Sequence, residues 1–547
     1  MPQEYFGTRN LAVELAFQSG EAFTDPFNEI ELDVMFSGPA GKDWRMPAFW
    51  AGGCEWRVRF AAPSEGEWSF RTACSNTASD LHNRIGKLNI GPYEGNNPLL
   101  QHGPLRVSAN RRHLEHADGT PFFWLGDTWW MGLCNRFSWP DDFHLLAADR
   151  VAKGFTVVQI VAGLYPDMPP FDDRGANEAG FPWTPDYARI NPAYFDMADL
   201  RIQWLIRCGL VPCIVGCWGY FLPWMGVAAM KKHWRNIIAR WGAYHAVWCL
   251  AGEGTMPYYL STNRERDAEL QKKGWTELAR YVRQIDPLRQ PITIHPSSTA
   301  RDSVDDDRVL DFDMLQTGHG GHESIPHTVR IQRAEMNRSP RMPVVNGEVC
   351  YEGILEGSRE EVQRFMFWSA MLSGLAGFTY GANGIWQFNG IDEPFGPSPW
   401  GGAWGNQPWQ TAYRLPGSQH VGLGGKLLCR YPWWKFEPHQ EWVQPASTDD
   451  NPAAPFAAGI PDEVRVFYFP KPIFPWGDPT LIKGLGTDTG FQARLVDPKT
   501  GREYYIGSVF PDANGDWKLP LPPITQDWLL VLDRPCEPRQ ESPAMFA

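Results

Sequence analysis

Between residues 104 and 435 short apolar runs alternate with helical stretches, and this alternation limits the fold more than any other feature of the chain. Eight runs occur: "PFFWLGD", "FTVVQIVAG", "LVPCIVGCWGY", "AVWCLAGE", "QPITIHPSS", "LDFDMLQTGHG", "MPVVNGE" and "AGFTYGANGIW". A strand that is apolar on both faces must be covered on both, and helices lying between successive strands supply that cover in a parallel sheet. The intervening segments include "DDFHLLAADRVAKG", "NPAYFDMADLRIQWLIRCG", "MKKHWRNIIARWGAY", "RDAELQKKGWTELARYVRQID" and "REEVQRFMFWSAMLSG". In the second, Asn191 is the expected N-cap, Pro192 takes the first helical position and the helix ends near Gly209. In the last, Val362, Phe365, Ser369 and Leu372 form the stripe expected to face inward. Eight strands in roughly 330 residues fit a (β/α)8 barrel with enlarged loops. An open doubly wound sheet would carry a Gly-rich phosphate turn after its first strand, and "LGDTWWMG" is not one.

The flanking segments obey a different period. In residues 1–95, "EIELDVMF" sets Ile30, Leu32, Val34 and Phe36 on one face and Glu29, Glu31 and Asp33 on the other. "EWRVRF" and "EWSFRT" repeat the pattern between turn-forming clusters. Period-two alternation with regular turns predicts an Ig-like β-sandwich. "GPYEGNNP" has the composition of a linker. Alternation returns in residues 436–547 with "EVRVFYFP" and with a hairpin around Asp497-Pro498-Lys499-Thr500-Gly501, followed by the buried strand "DWLLVLDRP". A length of 547 residues already asks for several cores. The expected architecture is therefore multidomain: a central (β/α)8 TIM barrel over 104–435, flanked by an N-terminal β-sandwich (1–95) and a C-terminal one (436–547).

Charge and motifs exclude several functions. The net charge is −13 and no basic cluster is longer than "MKKHW", so no nucleic-acid partner is expected. No apolar stretch reaches 18 residues, so no membrane helix is expected. "MPQEYFGTRN" lacks a basic segment followed by an apolar one, and a cytoplasmic location is expected. The ten Cys include no C-x-x-C pair, and Cys213, Cys217 and Cys249 sit on apolar strands, as buried reduced thiols do. The sequence is compatible with a homo-oligomer. Aromatic residues make up 14% of the chain, with 27 Trp. Most are expected to pack β-rich cores, and the rest offer flat faces on which sugar rings stack.

Two of the eight runs end in Gly-Glu, at Glu253 in "AVWCLAGEGTMP" and at Glu348 in "MPVVNGEVCYEG". In a (β/α)8 barrel the C-terminal ends of the strands form the mouth of the active site, so the fourth and seventh strands would bring both groups to one pocket. Hydrolysis of a glycosidic bond needs a proton for the leaving oxygen and a nucleophile or activated water opposite it. Glu348 is assigned as nucleophile and Glu253 as general acid/base, the latter with a raised pKa. Gly252 and Gly254 are expected to let the chain turn sharply at Glu253. Other strand ends supply candidate substrate-binding groups: Asp127, Trp130, Gln159, Trp218, His295, Gln316, His319, Tyr380, Asn383 and Trp386. Among them, Asp127 is the one suited to gripping a pair of sugar hydroxyls. His319 and His322 in "GHGGHE" lack a carboxylate at a fixed metal-ligand spacing, so no metal and no other cofactor is expected.

The segment from "DVMFSGPAGKDW" to "EGEWSFRT" resembles the β-sandwich in front of many bacterial glycoside hydrolases, and "GTPFFWLGDTWW" with "VWCLAGE" resembles the apiosidase-like catalytic barrel. The C-terminal segment is similar to a β-sandwich of the collagen-binding type often found there. The resemblance implies two catalytic acids after strands four and seven, which fall on Glu253 and Glu348. Related retaining barrels carry Asn before the strand-four Glu, where this chain has Gly252. No residue points to apiose as the sugar. The expected activity is hydrolysis of an oligosaccharide or other glycoside, retaining and exo-acting. Two other readings stay open: a barrel that binds carbohydrate without turnover, and a metal-dependent hydrolase using His295, His319 and a carboxylate.

Overall fold

The computed structural model describes residues 3–471, 473, 479–486 and 490–534. The outer ends of the 1–95 and 436–547 segments, residues 1–2 and 535–547, lie outside the described residues. Eight parallel strands occupy the centre: β1 (Trp124–Thr128), β2 (Val157–Val161), β3 (Val211–Val215), β4 (Val247–Cys249), β5 (Ile292–Thr293), β6 (Asp313–Gln316), β7 (Val344–Glu348) and β8 (Gly377–Tyr380). They are ordered β5-β4-β3-β2-β1-β8-β7-β6. Between β5 and β6 the circle closes through Thr293, whose Oγ1 donates to the Phe312 carbonyl at 3.0 Å, and through Asp311 N–H to Ile292 C=O at 2.8 Å.

Helices follow seven of the strands: α1 (Asp141–Lys153), α2 (Pro192–Arg207), α3 (Phe221–Trp241), α4 (Arg264–Ile285), α5 (Ile325–Met336), α6 (Glu360–Leu372) and α7 (Pro416–Leu428). The connection after β5 holds only two 3₁₀ turns, Arg301–Ser303 and Asp307–Val309. Its sequence, "PSSTARDSVDDD", is dominated by residues whose short polar side chains compete with helical backbone bonds. Two other expectations are corrected. Pro121 and Phe122 do not head β1; they pair in a small antiparallel sheet with Leu114–His116. Asn191 occupies the N-cap of α2, but its Nδ2 donates to the Ala179 and Phe181 carbonyls instead of its side chain capping the helix. The glycine-rich α7 had no helical signature. Its glycines serve close packing: a Cβ at Gly424 would stand 2.4 Å from the Phe367 ring.

The helix α6 is buried on every side from Val362 to Leu372. Phe367 packs on Phe378 of β8, whereas Phe365 faces the other way, onto Phe456 and Tyr468 of the C-terminal sheet. Phe365, read from the sequence as part of the inward stripe, therefore faces the C-terminal sheet, while Phe367, outside that stripe, faces the barrel. That sheet has six strands in the order Glu437–Pro438, Phe456–Ile460, Val464–Phe469, Trp528–Asp533, Gln492–Val496 and Glu503–Ser508, with a three-stranded sheet beside it. Asp527 at its edge receives both Nε and Nη2 of Arg364 on α6, at 2.7 and 3.0 Å.

The N-terminal segment forms a five-stranded and a three-stranded sheet, with Phe36 and Phe60 stacked 4.2 Å apart between them. All its pairings are antiparallel except that of Gln3–Thr8 with Ile85–Gly91. Asp33, assigned to the solvent face, is buried, because Arg235 of α3 reaches it at 2.6 Å. Across the same junction, buried Asp199 of α2 accepts from Arg59 Nη2 (2.6 Å), Arg240 Nη1 (2.8 Å) and Trp241 Nε1 (2.7 Å). Removing one member of such a buried ionic cluster strands the remaining charges. Asp199→Ala is expected to cost on the order of 3–5 kcal/mol, measured by calorimetry as an earlier unfolding transition.

Candidate active site

Glu348 is the last residue of β7, Gln316 the last of β6, and Glu253 follows β4, so the C-terminal ends of these strands bring the three together. They flank a cavity of about 410 Å³, counted to its open mouth and lined by Trp130, Pro166, Asp167, Trp218, Glu253, Tyr259, His319, Glu348, Tyr351, Ile354, Trp386 and Trp404.

The two carboxylates are chemically alike but held differently. Glu348 Oε1 accepts from Gln316 Nε2 and His319 Nε2, each at 2.9 Å. Its Oε2 accepts from the Tyr351 hydroxyl at 2.6 Å and has His295 Nε2 at 3.3 Å. Burial alone would raise this carboxyl, yet the two nearby imidazoles above all, with the Gln316 and Tyr351 hydrogen bonds, outweigh it and hold the group well below the usual carboxylate range. His319 answers in kind: burial lowers its pKa, but the bond to Glu348 more than reverses this and the ring is held above its ordinary value. Glu253 has only two long contacts, Gln316 Nε2 at 3.1 Å and Trp218 Nε1 at 3.3 Å. Burial first, and then the charge of Glu348, push its carboxyl up. One amide nitrogen, on Gln316, thus touches both acids and places their nearer oxygens at most about 6 Å apart.

The sharp turn at strand four is made by Glu253 itself, at φ +43°, a region costly for a residue with a Cβ. The flanking glycines are required for space instead. A Cβ at Gly252 would fall 2.2 Å from the Trp218 ring, and one at Gly254 would fall 2.4 Å from Ile294. The Trp218 ring therefore occupies the space that an Asn side chain at position 252 would need.

Trp130, Trp218, His319 and Trp386 line the cavity as expected from their strand ends, and His295 and Gln316 lie just beneath it against the carboxylates. Trp130 Nε1 donates to Tyr351 at 2.8 Å, bracing the donor to Glu348. Four others do not reach the pocket. Gly126 of β1 sits in the inner layer, where a Cβ would meet Thr379 Oγ1 at 2.7 Å, so the next residue, Asp127, points outward. There it pairs with buried Arg150 at 2.6 Å and accepts Trp129 Nε1 at 2.7 Å. Tyr380, opposite Asp127 in register, also points outward and donates to Glu352 at 2.5 Å. Gln159 is inside the barrel but spends its amide on the Gly347 carbonyl (3.0 Å) and on Thr379 (3.2 Å). Asn383 is buried beside Gly405.

The sequence reading missed Asp167, Tyr259, Tyr351 and Trp404. Tyr351 could have been found three residues beyond the strand-end Glu. The others come from long loops with no periodic signal. Asp167, at φ +57°, takes the Tyr259 hydroxyl on Oδ1 and Trp404 Nε1 on Oδ2 at 2.7 Å, joining the loops after β2, β4 and β8 across the mouth. His295 and His319 both direct Nε2 at Glu348. Among the described residues no group of three or more His, Cys, Asp and Glu is arranged to hold a metal ion.

Residues 108–435 match the family model described as "Apiosidase-like, catalytic domain", and residues 11–75 match a domain of unknown function (DUF5060). No curated protein matches the chain. Among solved structures, a glycoside hydrolase aligns over 81% of this chain and 99% of its own, with TM-score 0.62 and 22% identity. A glycoside hydrolase family 5 protein from Bacteroides vulgatus ATCC 8482 aligns over 81% and 95%, with TM-score 0.63 and 21% identity. A candidate glycoside hydrolase from the same organism covers 97% and 99%, with TM-score 0.68 and 17% identity. At these identities the likeness is one of fold.

The unequal surroundings of the two acids have a direct spectroscopic consequence. In protein labelled with 13C at the Glu carboxyls, one resonance is expected to titrate above the ordinary range and vanish in Glu253→Gln. A second, absent in Glu348→Gln, is expected to stay ionised down to the acid limit of folding. Two resonances titrating together near the ordinary value would contradict this geometry.

Proposed function

Since the chain belongs to the apiosidase-like catalytic-domain family and is a glycoside hydrolase, we propose that it cleaves O-glycosidic bonds with Glu348 as nucleophile and Glu253 as general acid/base. The observation that carries this reading is the Gln316 amide shared by both carboxylates. A separation of about 5–5.5 Å suits a retaining double displacement, whereas inversion needs about 6.5–9.5 Å to admit a water. The upper limit of about 6 Å set by Gln316 favours retention.

In the first step Glu253 gives its proton to the glycosidic oxygen as Glu348 forms an ester with the anomeric carbon and the leaving group departs as an alcohol. In the second, Glu253, now a carboxylate, takes a proton from the water that displaces Glu348. A nucleophile must be ionised, and the two imidazoles beside Glu348, with the Gln316 and Tyr351 hydrogen bonds, keep it so. An acid must hold its proton, and Glu253 does so because it is poorly solvated and faces a fixed negative charge. The cavity supports an exo-acting mode: it is small, and the Asp167 junction crosses its mouth. The indoles of Trp130, Trp218 and Trp386 give the sugar flat apolar surface. The nine cysteines among the described residues are free, which supports work in a reducing compartment.

Against a panel of aryl glycosides, Glu348→Ala and Glu253→Ala are each expected to lower kcat/KM by at least about 100-fold. A smaller loss would remove that residue from the chemistry. The first anomer seen by 1H NMR should match the substrate's configuration. The sign of the pH dependence follows from the raised pKa: activity falls as pH rises through the Glu253 value, above 4.5. That basic limb should be absent in Glu253→Gln. Turnover should survive a chelator, and loss restored by Zn²⁺ would favour the metal-dependent reading.

A further inference from the structure

The loop after β8 carries a further indole, Trp400, beside Trp386 and Trp404, which line the cavity. Trp400 is 51% exposed, an unusual position for the largest apolar side chain. Its ring centroid lies 6.0 Å from that of Trp404, with the planes at 70°. Trp404 is in turn 6.3 Å from the His319 ring, whose Nε2 is 2.9 Å from Glu348. Rings therefore step outward from the nucleophile to solvent along one side of the mouth. Neither indole is loose. Trp400 rests against the backbone of Gly402, where a Cβ would fall 1.7 Å from the ring, and Trp404 is fixed by its 2.7 Å bond to Asp167. An apolar patch continuous with a cavity marks a ligand groove. In the exo-acting mode proposed above, a sugar seated between Glu253 and Glu348 directs its scissile bond toward the mouth, so whatever leaves must pass this patch.

We propose that Trp400 and Trp404 form a second binding subsite, at the mouth of the pocket, that stacks the first sugar ring of the leaving group, with Asp167 as the positioning residue that holds Trp404. This rests on the glycosidase reading given above and adds a specificity that the pocket alone does not supply. The substrate class it implies is an oligosaccharide with at least one further sugar on the leaving-group side.

The test compares two substrates of one sugar, chosen as the one preferred in the aryl panel: a disaccharide, and the glycosyl fluoride, whose leaving group has no ring to stack. Trp400→Ala is expected to lower the ratio of kcat/KM for disaccharide over fluoride by about tenfold, and Trp400→Phe to restore most of it. Asp167→Ala should move the ratio in the same direction, mainly through KM for the disaccharide. Since Trp400 is exposed, its variant should keep the wild-type thermal midpoint. An unchanged ratio in active Trp400→Ala enzyme overturns the subsite and leaves the glycosidase reading standing. Wild-type enzyme that hydrolyses neither substrate overturns both.

Discussion

The site depends on one amide. Gln316 Nε2 has two hydrogens, and it gives one to each carboxylate, at 2.9 Å to Glu348 and 3.1 Å to Glu253. Two negative groups this close cannot both stay ionised without a large repulsion. The surroundings decide which one keeps its proton. Glu348 accepts hydrogen bonds from Gln316 and Tyr351 and lies against the His319 and His295 imidazoles at 2.9 and 3.3 Å, while Glu253 has its second contact with the Trp218 indole at 3.3 Å. The difference between the two carboxyls is therefore a difference in polar partners, set by where β5, β6 and β7 end. A raised carboxyl alone does not identify an acid: burial pushes Glu352 up to about 7, yet it lies outside the cavity.

Behind the strands a second polar chain holds the arrangement in place. Asp127, Arg150, Tyr380 and Glu352 run along the outer face of β1 and β8, where Arg150 pairs with Asp127 and lies over the Tyr380 ring. Glu352 accepts the Tyr380 hydroxyl and the Gly417 N–H at the start of α7. A charged residue at a strand end thus has two fates, separated by one residue of register. On the inner face it lines the cavity, and on the outer face it anchors a helix. The flanking sheets are joined to the barrel by the same kind of buried pairing, at Asp199 on one side and Asp527 on the other.

Much of this was legible in the chain because it depends on local periodicity. Continuous apolar runs separated by helical segments specify a parallel sheet, and eight of them close into a barrel whose mouth collects the strand ends. Glu253 and Glu348 could be named for that reason. Asp127 and Tyr380 were misplaced because apolar runs without alternation do not reveal which residues face inward. The helix α6 was half misread because a helix buried on both sides has no single stripe. Asp167, Tyr259 and Trp404 left no signal, since loop residues far apart in sequence meet only when the strands that carry them are neighbours.

By itself, then, the sequence determined the architecture and the two acids at strand ends, because short-range hydrophobic patterning is enough to fix strands, helices and their order. Only the tertiary structure decided which acid is ionised, which polar residues reach the cavity and what closes its mouth. Those outcomes turn on distances of a few ångströms between residues dozens to hundreds of positions apart, which chain-local patterning does not encode.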